Sequence, residues 1–235
     1  MALYLGLNPS FAKQYSAIFQ PIIRIIPFSK HAPQMRQARQ FLVSASHVLL
    51  TSPSSTHCFF SSIKKTVSPS ALMSKCFVTI GEATSSRVRA HLPKANIVQV
   101  PFPQSEAFQP ILSSLPSNTS ILYPHSSLAR PIIRSLLNKL QYPFFSYSHY
   151  TVKPIKLSLN IFSPHKIIIL TSPSIVRAYA KLFPSLPSKE HWCLGEISAE
   201  EFKKIFHQLA LIIPATKINI EIDAIEIVII ILTKR

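Results

Sequence analysis

Glycine is nearly missing from this chain of 235 residues, which holds Gly6, Gly81 and Gly195 against twenty prolines. No two of these glycines are close enough to form a Walker loop or a G-x-G-x-x-G turn, so glycine-rich loops that cradle nucleotide phosphates are excluded. Acidic residues are also scarce, at nine. Kinase, polymerase and two-metal chemistry needs clustered carboxylates to hold magnesium, and this chain has too few to assemble them.

The three cysteines, Cys58, Cys76 and Cys193, are an odd number and lack C-x-x-C spacing. We therefore expect neither a disulfide framework nor a metal centre, and predict buried small side chains in a reducing cytoplasm. No long apolar stretch opens the chain, because Pro9 and Lys13 interrupt it. The sequence consequently predicts no signal peptide.

Positive charge is in large excess, because 25 Lys and Arg residues oppose nine acids and give a net charge of +16. A field of that sign attracts an acidic membrane, a nucleic acid, or a ligand with several carboxylates or phosphates. The most apolar tract, 218–232, contains three acidic residues and lacks the pattern of a membrane span. Basic residues are spread along the chain without a run of five, which disfavours a nucleic-acid tail.

Short apolar strands alternate with helix-like stretches along most of the chain. A strand is predicted at Ala2–Leu7 and a helix over 11–19, capped by Ser10. Further strands are predicted at 22–27, His47–Leu50, Cys76–Ile80, Ile97–Val100, Ile121–Tyr123 and Phe144–Tyr150. This alternation is typical of βαβ units and a parallel sheet, so we predict an α/β fold. Right-handed crossovers would bring the strand-to-helix loops to one edge of that sheet.

Two short segments each occur twice, in the same order. Thr-Ser-Pro-Ser follows an apolar strand at 51–54 and again at 171–174. Downstream of each copy, Gly-Glu-Ala-Thr lies at 81–84 and Gly-Glu-Ile-Ser at 195–198. The repeated order predicts two homologous halves, each a flavodoxin-like, doubly wound parallel sheet.

The repeated motifs place hydroxyl groups at the carboxyl ends of strands, where open α/β sheets bind ligands. The serine after each proline can also cap the next helix, whose first N–H groups favour an anionic oxygen. The candidate substrate-binding residues from these motifs are Thr51, Ser52, Ser54, Thr84, Thr171, Ser172, Ser174 and Ser198. Helix capping alone is the other interpretation of the same residues. No Ser-His-Asp set is present, so we expect the chemistry to rest on positioning an anionic ligand.

At these residues the chain resembles the uroporphyrinogen-III synthases, the cyclising enzymes of tetrapyrrole synthesis. The resemblance rests on both motif pairs, on Ile121-Leu-Tyr-Pro124 followed by Ala129-Arg130, and on the Tyr150-Thr151 pair. It implies two α/β domains joined by a two-segment linker, with the substrate in the cleft between them.

The domain boundaries follow from the same resemblance. One domain is discontinuous and is expected to comprise 1–33 and 158–235, with the strand at 22–27 inside it. The other is expected at 36–150, and the linkers are expected near 28–40 and 148–158.

The implied reaction closes hydroxymethylbilane, a linear tetrapyrrole with an acetate and a propionate on every ring, to uroporphyrinogen III. The terminal hydroxymethyl oxygen leaves as water, and the last ring is inverted through a spiro intermediate. Tyr150 matches the family's linker-proximal tyrosine and is the candidate catalytic residue, while Ser126 and Arg130 join the candidate binding residues. A tyrosine that packs its ring against the linker, with its hydroxyl in solvent, is the other interpretation of Tyr150. Such an enzyme needs no metal or organic cofactor, and we expect a cytoplasmic monomer that binds neither nucleic acid nor membrane.

Two other classes of protein remain open on the sequence. One is a non-catalytic, two-lobed anion-binding module, and the other is a basic nucleic-acid-binding protein with a steep salt dependence. The chain also departs from the family pattern. Asn8 stands in place of an arginine, His125-Ser126 in place of a basic residue and a glycine, and Ser198 in place of a threonine. Beyond Pro214 the sequence is β-branched and predicts strand where the family suggests a closing helix.

Overall fold

The computed structural model describes residues 1–63, 66–100 and 105–213, and the strand-like prediction beyond Pro214 lies outside these residues. The chain divides into two compact units. The first is Met1–Arg24 with the described part of Pro154–Arg235, and the second is Ile25–Lys153.

Strands and helices alternate through the described ranges. The strands are β1 (Ala2–Tyr4), β2 (Ala17–Phe19), β3 (Ile23–Pro27), β4 (His47–Leu50), β5 (Cys76–Ile80), β6 (Asn96–Val100), β7 (Ile121–Ser126), β8 (Phe144–Pro154), β9 (Ile167–Leu170), β10 (Glu190–Leu194) and β11 (Leu211–Ile213). The α-helices are α1 (Pro9–Gln14), α2 (Pro33–Ser44), α3 (Pro53–Ile63), α4 (Pro69–Met73), α5 (Gly81–His91), α6 (Phe108–Ser113), α7 (Ile132–Leu140), α8 (Pro173–Leu182) and α9 (Glu196–Phe206). Short 3-10 helices lie at Ser105–Ala107 and Leu159–Ile161.

The sheet of the first unit is parallel and has the strand order β2-β1-β9-β10-β11. Counted along this unit alone, that is the order 2-1-3-4-5 of flavodoxin-like folds. The chain leaves β1 toward one side of the sheet and later continues from β9 toward the other. β1 and β9 therefore flank the topological switch point of this sheet.

The sheet of the second unit has the order β3-β8-β7-β4-β5-β6, and β8 to β6 are parallel. In chain order, the first parallel strand, β4, lies in the middle of the sheet, and β5 and β6 follow it toward one edge. β7 and β8 are then added on the other side of β4. The switch point of this sheet therefore lies between β4 and β7. Both sheets are doubly wound, which confirms the predicted fold class.

Both faces of the second sheet are covered by helices, because its central strands are apolar on both sides. Val48 and Leu50 of β4 pack on one face with α2, α3 and α5. Leu49, which points to the opposite face, packs with α6 and α7. All three side chains are fully buried. A continuous apolar run of this kind is what a parallel strand buried on both faces requires.

Strand β3 belongs to the second sheet, although the sequence predicts it in the first unit. The Phe28 N–H donates to the His149 carbonyl at 2.9 Å, and the Ile155 N–H donates to the Ile22 carbonyl at 2.8 Å. From Ile22 to Phe28 the residue number rises, while that of the bonded partner falls from Ile155 to His149. β3 therefore lies antiparallel to β8. Helix α2 also occupies part of 28–40, where the sequence predicts a linker.

The first helix is shorter than predicted. The sequence predicts a helix over 11–19 with Ser10 as its cap, whereas α1 ends at Gln14 and is capped by the Asn8 side chain, which accepts from the Ser10 N–H. Ser16 has φ 47°, which stops the helix and turns the chain into β2. The pairing of β2 with β1 therefore overrides the helical pattern.

Buried histidines occur in both units. In the first unit the His191 ring accepts or donates a 3.1 Å hydrogen bond with the Tyr179 hydroxyl, and burial lowers the pKa of His191 to about 4. In the second unit burial, assisted by the nearby His125, lowers the pKa of His149 to about 3. Both rings are consequently neutral in the folded chain near neutral pH.

We expect the free energy of unfolding to fall as the pH is lowered from 7 to 5. On unfolding, both rings regain a pKa near 6.5, so the unfolded state binds the additional protons. Between pH 7 and pH 5, each histidine should lower the free energy of unfolding by about 2 kcal/mol. Urea unfolding at a series of pH values measures this decrease. A His191→Phe variant should show a shallower dependence, and an unchanged slope would contradict the assignment.

Candidate active site

The switch point of the second sheet brings together loops that follow β4 and β7. Thr51 and Ser52 come directly after β4, and Ser126 ends β7. Tyr150 lies on the neighbouring β8, opposite Ser126 in the register. Crossovers leave this point toward opposite faces of the sheet, which leaves the strand ends accessible for a ligand.

Thr51 is held by a tyrosine that the sequence analysis did not single out. The Tyr123 phenol is hydrogen-bonded to the Thr51 side chain, and burial raises the pKa of Tyr123 to about 12. Tyr123 is therefore a neutral phenol at physiological pH. Tyr123 lies on β7, next to β4, the strand that the Thr-Ser-Pro-Ser motif follows. That position is the signal that could have identified Tyr123 from the sequence.

Ser52 is the cap of helix α3. Its Oγ accepts the Ser55 N–H at 3.0 Å, and the helix begins at Pro53. The predicted capping role of the serine after the proline, Ser54, is therefore wrong, because the proline itself occupies the first helical position and the preceding residue becomes the cap. Ser54 lies partly exposed in the first turn of α3.

Tyr150 is buried, and its phenol oxygen lies 3.4 Å from the Ser52 Oγ. Burial raises the pKa of Tyr150, and hydrogen bonds to the Ser52 and Ser126 side chains partly oppose that rise. The phenol is therefore neutral and retains its proton. It is placed among hydroxyl groups that can exchange hydrogen bonds with a bound oxygen.

Ser126 forms the turn after β7. Its Oγ accepts the Leu128 N–H at 3.1 Å and its carbonyl accepts the Ala129 N–H at 3.0 Å. The His125 Nδ1 lies 2.8 Å from the same carbonyl, so it carries the proton and donates. Burial lowers the pKa of His125, which stays neutral beside the site.

Arg134 is an exposed cation of helix α7. Burial is the larger effect and raises the pKa of Tyr123 but lowers that of His125, while the charge of Arg134 acts to lower both. Arg130, the residue predicted from sequence, pairs with Glu106 at 3.4 Å in solvent. No carboxylate among the described residues forms an ion pair with Arg134. Arg134 is not among the residues predicted from the sequence.

The first unit repeats the tyrosine–threonine pair at its own switch point. Thr171 follows β9, and its side chain is hydrogen-bonded to the phenol of Tyr4 on β1. Burial, with a contribution from Tyr15, raises the pKa of Tyr4. The serines differ from those of the second unit, because the Ser172 Oγ lies 3.0 Å from the Ser174 Oγ and makes no capping bond to α8.

Gly6 is required by the position of the Tyr4 ring. A Cβ on Gly6 would lie 2.6 Å from the Tyr4 Cζ and 2.6 Å from its hydroxyl. The Tyr4 side chain is only 2% exposed, so it has no free space into which to move. Glycine at position 6 therefore allows the phenol to fold over the backbone toward Thr171.

Thr84 and Ser198 are not at exposed strand ends, as the sequence predicts, but inside the first turns of α5 and α9. Both are nearly fully buried. Ser198 donates to the Leu194 carbonyl at 3.4 Å. Each helix begins directly at its glycine motif, where Gly81 has φ 68° and Gly195 φ 84°. The fourth residue of each motif therefore falls on the helix face that packs against the sheet.

No three His, Cys, Asp or Glu side chains are grouped to hold a metal ion in the described part of the chain. Across the same residues, no helix has both the length and the apolar character needed to cross a membrane.

Together, these features define a class: two-unit, doubly wound α/β proteins with hydroxyl-rich loops at the switch points of both sheets. The sequence model of uroporphyrinogen-III synthase HemD matches residues 12–215. The chain therefore belongs to the uroporphyrinogen-III synthase family, whose members are enzymes of haem biosynthesis.

Solved structures agree with this assignment at the level of the fold. Uroporphyrinogen-III synthetase from Helicobacter pylori 26695 is 14% identical with a TM-score of 0.64, and the match covers 100% of this chain and 99% of that one. A mutant uroporphyrinogen III synthase from the extremely thermophilic bacterium Thermus thermophilus is 14% identical with a TM-score of 0.62, and the match covers 92% and 93%. Direct comparison with curated protein sequences gives no match.

A Gly6→Ala substitution should destabilise the chain by about 1–3 kcal/mol, because the new methyl group collides with the buried Tyr4 ring. Urea unfolding measures this loss. In a Tyr4→Leu background the same substitution should cost much less, since the ring is gone. Equal costs in both backgrounds would show that another contact explains the glycine.

Proposed function

We propose that this chain is a cyclising hydro-lyase that converts hydroxymethylbilane to uroporphyrinogen III. The family match over residues 12–215 is the observation that carries the proposal. The substrate bears an acetate and a propionate on every pyrrole ring and is a polyanion. A chain with a net charge of +16 is a suitable host for such a ligand.

The reaction requires little acid–base catalysis by the protein. The bond between the terminal methylene carbon and its hydroxyl oxygen breaks, and the oxygen leaves as water. The last pyrrole ring inverts through a spiro intermediate before the macrocycle closes. Electron-rich pyrroles supply most of the reactivity, so the protein must fold the chain productively and hinder direct closure to the symmetric isomer.

In this proposal the strand-end hydroxyls at the switch point of each unit are candidate binding groups. Thr51 and Ser52 in the second unit, and Thr171, Ser172 and Ser174 in the first, are partly exposed. They can donate hydrogen bonds to carboxylates without introducing a competing negative charge. Arg134 adds a positive charge that no described carboxylate neutralises.

Tyr150 is the proposed catalytic residue. Its buried phenol keeps its proton, since burial raises its pKa. A neutral phenol can donate a hydrogen bond to the departing hydroxyl oxygen and help it leave as water. The Ser52 Oγ, 3.4 Å from the phenol oxygen, helps to orient the donor.

We also propose that the enzyme is a cytoplasmic monomer. Cys58, Cys76 and Cys193 are free thiols, as expected for a protein of a reducing compartment. Size-exclusion chromatography with light scattering tests the oligomeric state.

The function is tested by incubation with enzymatically generated hydroxymethylbilane, followed by separation of the type I and type III porphyrin isomers. The proposal requires type III product in excess over the enzyme-free control. A non-catalytic anion-binding module would bind the bilane and leave the isomer ratio of the control unchanged. A nucleic-acid-binding protein would bind DNA or RNA with a steep dependence on salt.

A Tyr150→Phe variant should lose about ten-fold or more in turnover to the type III isomer, because the substitution deletes only the phenol oxygen. Thermal stability should change little. Tyr142→Phe is the matched control, since the Tyr142 phenol donates to backbone carbonyls away from this site. Wild-type turnover in Tyr150→Phe would assign the tyrosine a packing role only.

An Arg134→Gln variant should raise the KM for hydroxymethylbilane about ten-fold, through loss of a charge-assisted hydrogen bond to a carboxylate. The matched control is Arg89→Gln in the same unit, because Arg89 already pairs with Glu82 at 3.5 Å. Steady-state kinetics at low ionic strength measures both variants. Equal KM values for Arg134→Gln and the wild type would remove Arg134 from the binding site.

A further inference from the structure

Strand β8 contains one extra residue next to the proposed catalytic tyrosine. His125 of β7 pairs with Ser148, and the next residue, Ser126, pairs with Tyr150. His149 therefore has no partner on β7 and forms a β-bulge. His149 and Tyr150 are consecutive on β8, and both are buried.

The His149 ring is held by Ser55 of helix α3. The Ser55 Oγ donates to the Pro124 carbonyl at 2.9 Å and lies 3.1 Å from the His149 Nε2. A hydroxyl group has one proton, so Ser55 must accept the second bond and His149 must carry its proton on Nε2. The other nitrogen, Nδ1, is buried without a hydrogen-bond partner among the described residues.

Ser55 is connected to Tyr150 by a second route. The Ser55 N–H donates to the Ser52 Oγ at 3.0 Å, and that oxygen lies 3.4 Å from the Tyr150 phenol oxygen. The rings of His149 and Tyr150 meet edge to face, with centroids 5.1 Å apart. Ser55 thus contacts His149 through its side chain. Through its backbone N–H it contacts Ser52, the neighbour of the Tyr150 phenol.

An unpaired Nδ1 is unfavourable in a buried position, and an apolar ring of similar size would avoid that cost. What a histidine supplies here and an apolar ring cannot is the Nε2 proton that bonds to Ser55. We propose that His149 and Ser55 form a positioning pair that fixes the bulge in β8 and thereby places the Tyr150 phenol beside Ser52. The importance of that placement for turnover rests on the proposed function, whereas the placement itself does not.

The direct test observes Tyr150 without any substrate. Labelling tyrosine with 13C at Cζ gives signals from the seven tyrosines, and the Tyr150→Phe variant assigns the signal of interest. In His149→Phe we expect the Tyr150 signal to shift or broaden while the Tyr142 signal stays in place. In His149→Gln, whose amide nitrogen can replace the Nε2 donor, the signal should return toward its wild-type position.

The matched control is His165→Phe. His165 is the other described histidine whose Nδ1 is buried without a partner, and it belongs to the first unit. Its replacement by the same apolar ring should leave the Tyr150 signal unchanged. If His149→Phe does not fold, Ser55→Ala removes the same bond from the other side and should move the same signal.

Kinetics supply the second arm of the test. We expect His149→Phe to lower kcat about ten-fold with little change in KM, and His149→Gln to stay within about two-fold of the wild type. An unmoved Tyr150 signal in both His149→Phe and Ser55→Ala would overturn the positioning pair. A moved signal with unchanged turnover would instead refute the catalytic role of Tyr150, so the two proposals fail separately.

Discussion

The reversal of strand order in each parallel sheet is the constraint on which this structure depends. A parallel sheet that starts in its middle must send crossovers to both faces, and at the point of reversal the strand ends are left uncovered. Both sheets of this chain have such a point, between β1 and β9 and between β4 and β7. At each, a threonine after one strand is hydrogen-bonded to a buried tyrosine of the neighbouring strand, Thr171 to Tyr4 and Thr51 to Tyr123.

Neutral donors dominate these strand ends. The tyrosines keep their protons because burial raises their pKa values, and the neighbouring histidines stay uncharged because burial lowers theirs. Hydroxyl groups at these strand ends can donate hydrogen bonds to carboxylates, with little negative charge nearby to repel such a ligand. This arrangement suits a reaction in which the substrate supplies the reactivity and the protein supplies geometry.

Local irregularity is concentrated beside the proposed catalytic residue. The bulge at His149 interrupts the regular pairing of β7 and β8, and the buried His149 Nδ1 has no hydrogen-bond partner among the described residues. Departures from regular structure that carry a cost are expected where function requires a specific placement. Here the bulge shifts the register so that Tyr150, and not His149, lies opposite Ser126. The Tyr150 phenol then lies beside Ser52.

The amino-acid sequence by itself determined the elements whose signal is local. The strands His47–Leu50 and Cys76–Ile80 were predictable because a fully apolar run between turn residues has few other conformations, and the repeated motifs identified the two halves and the family. Tertiary structure decided the rest. The ion pair of Arg130 depends on Glu106, which is 24 residues away in the chain, and the burial of Thr84 depends on where α5 begins. The bulge at His149 exists only through pairing with β7, so contacts distant in sequence, absent from any local pattern, set these features.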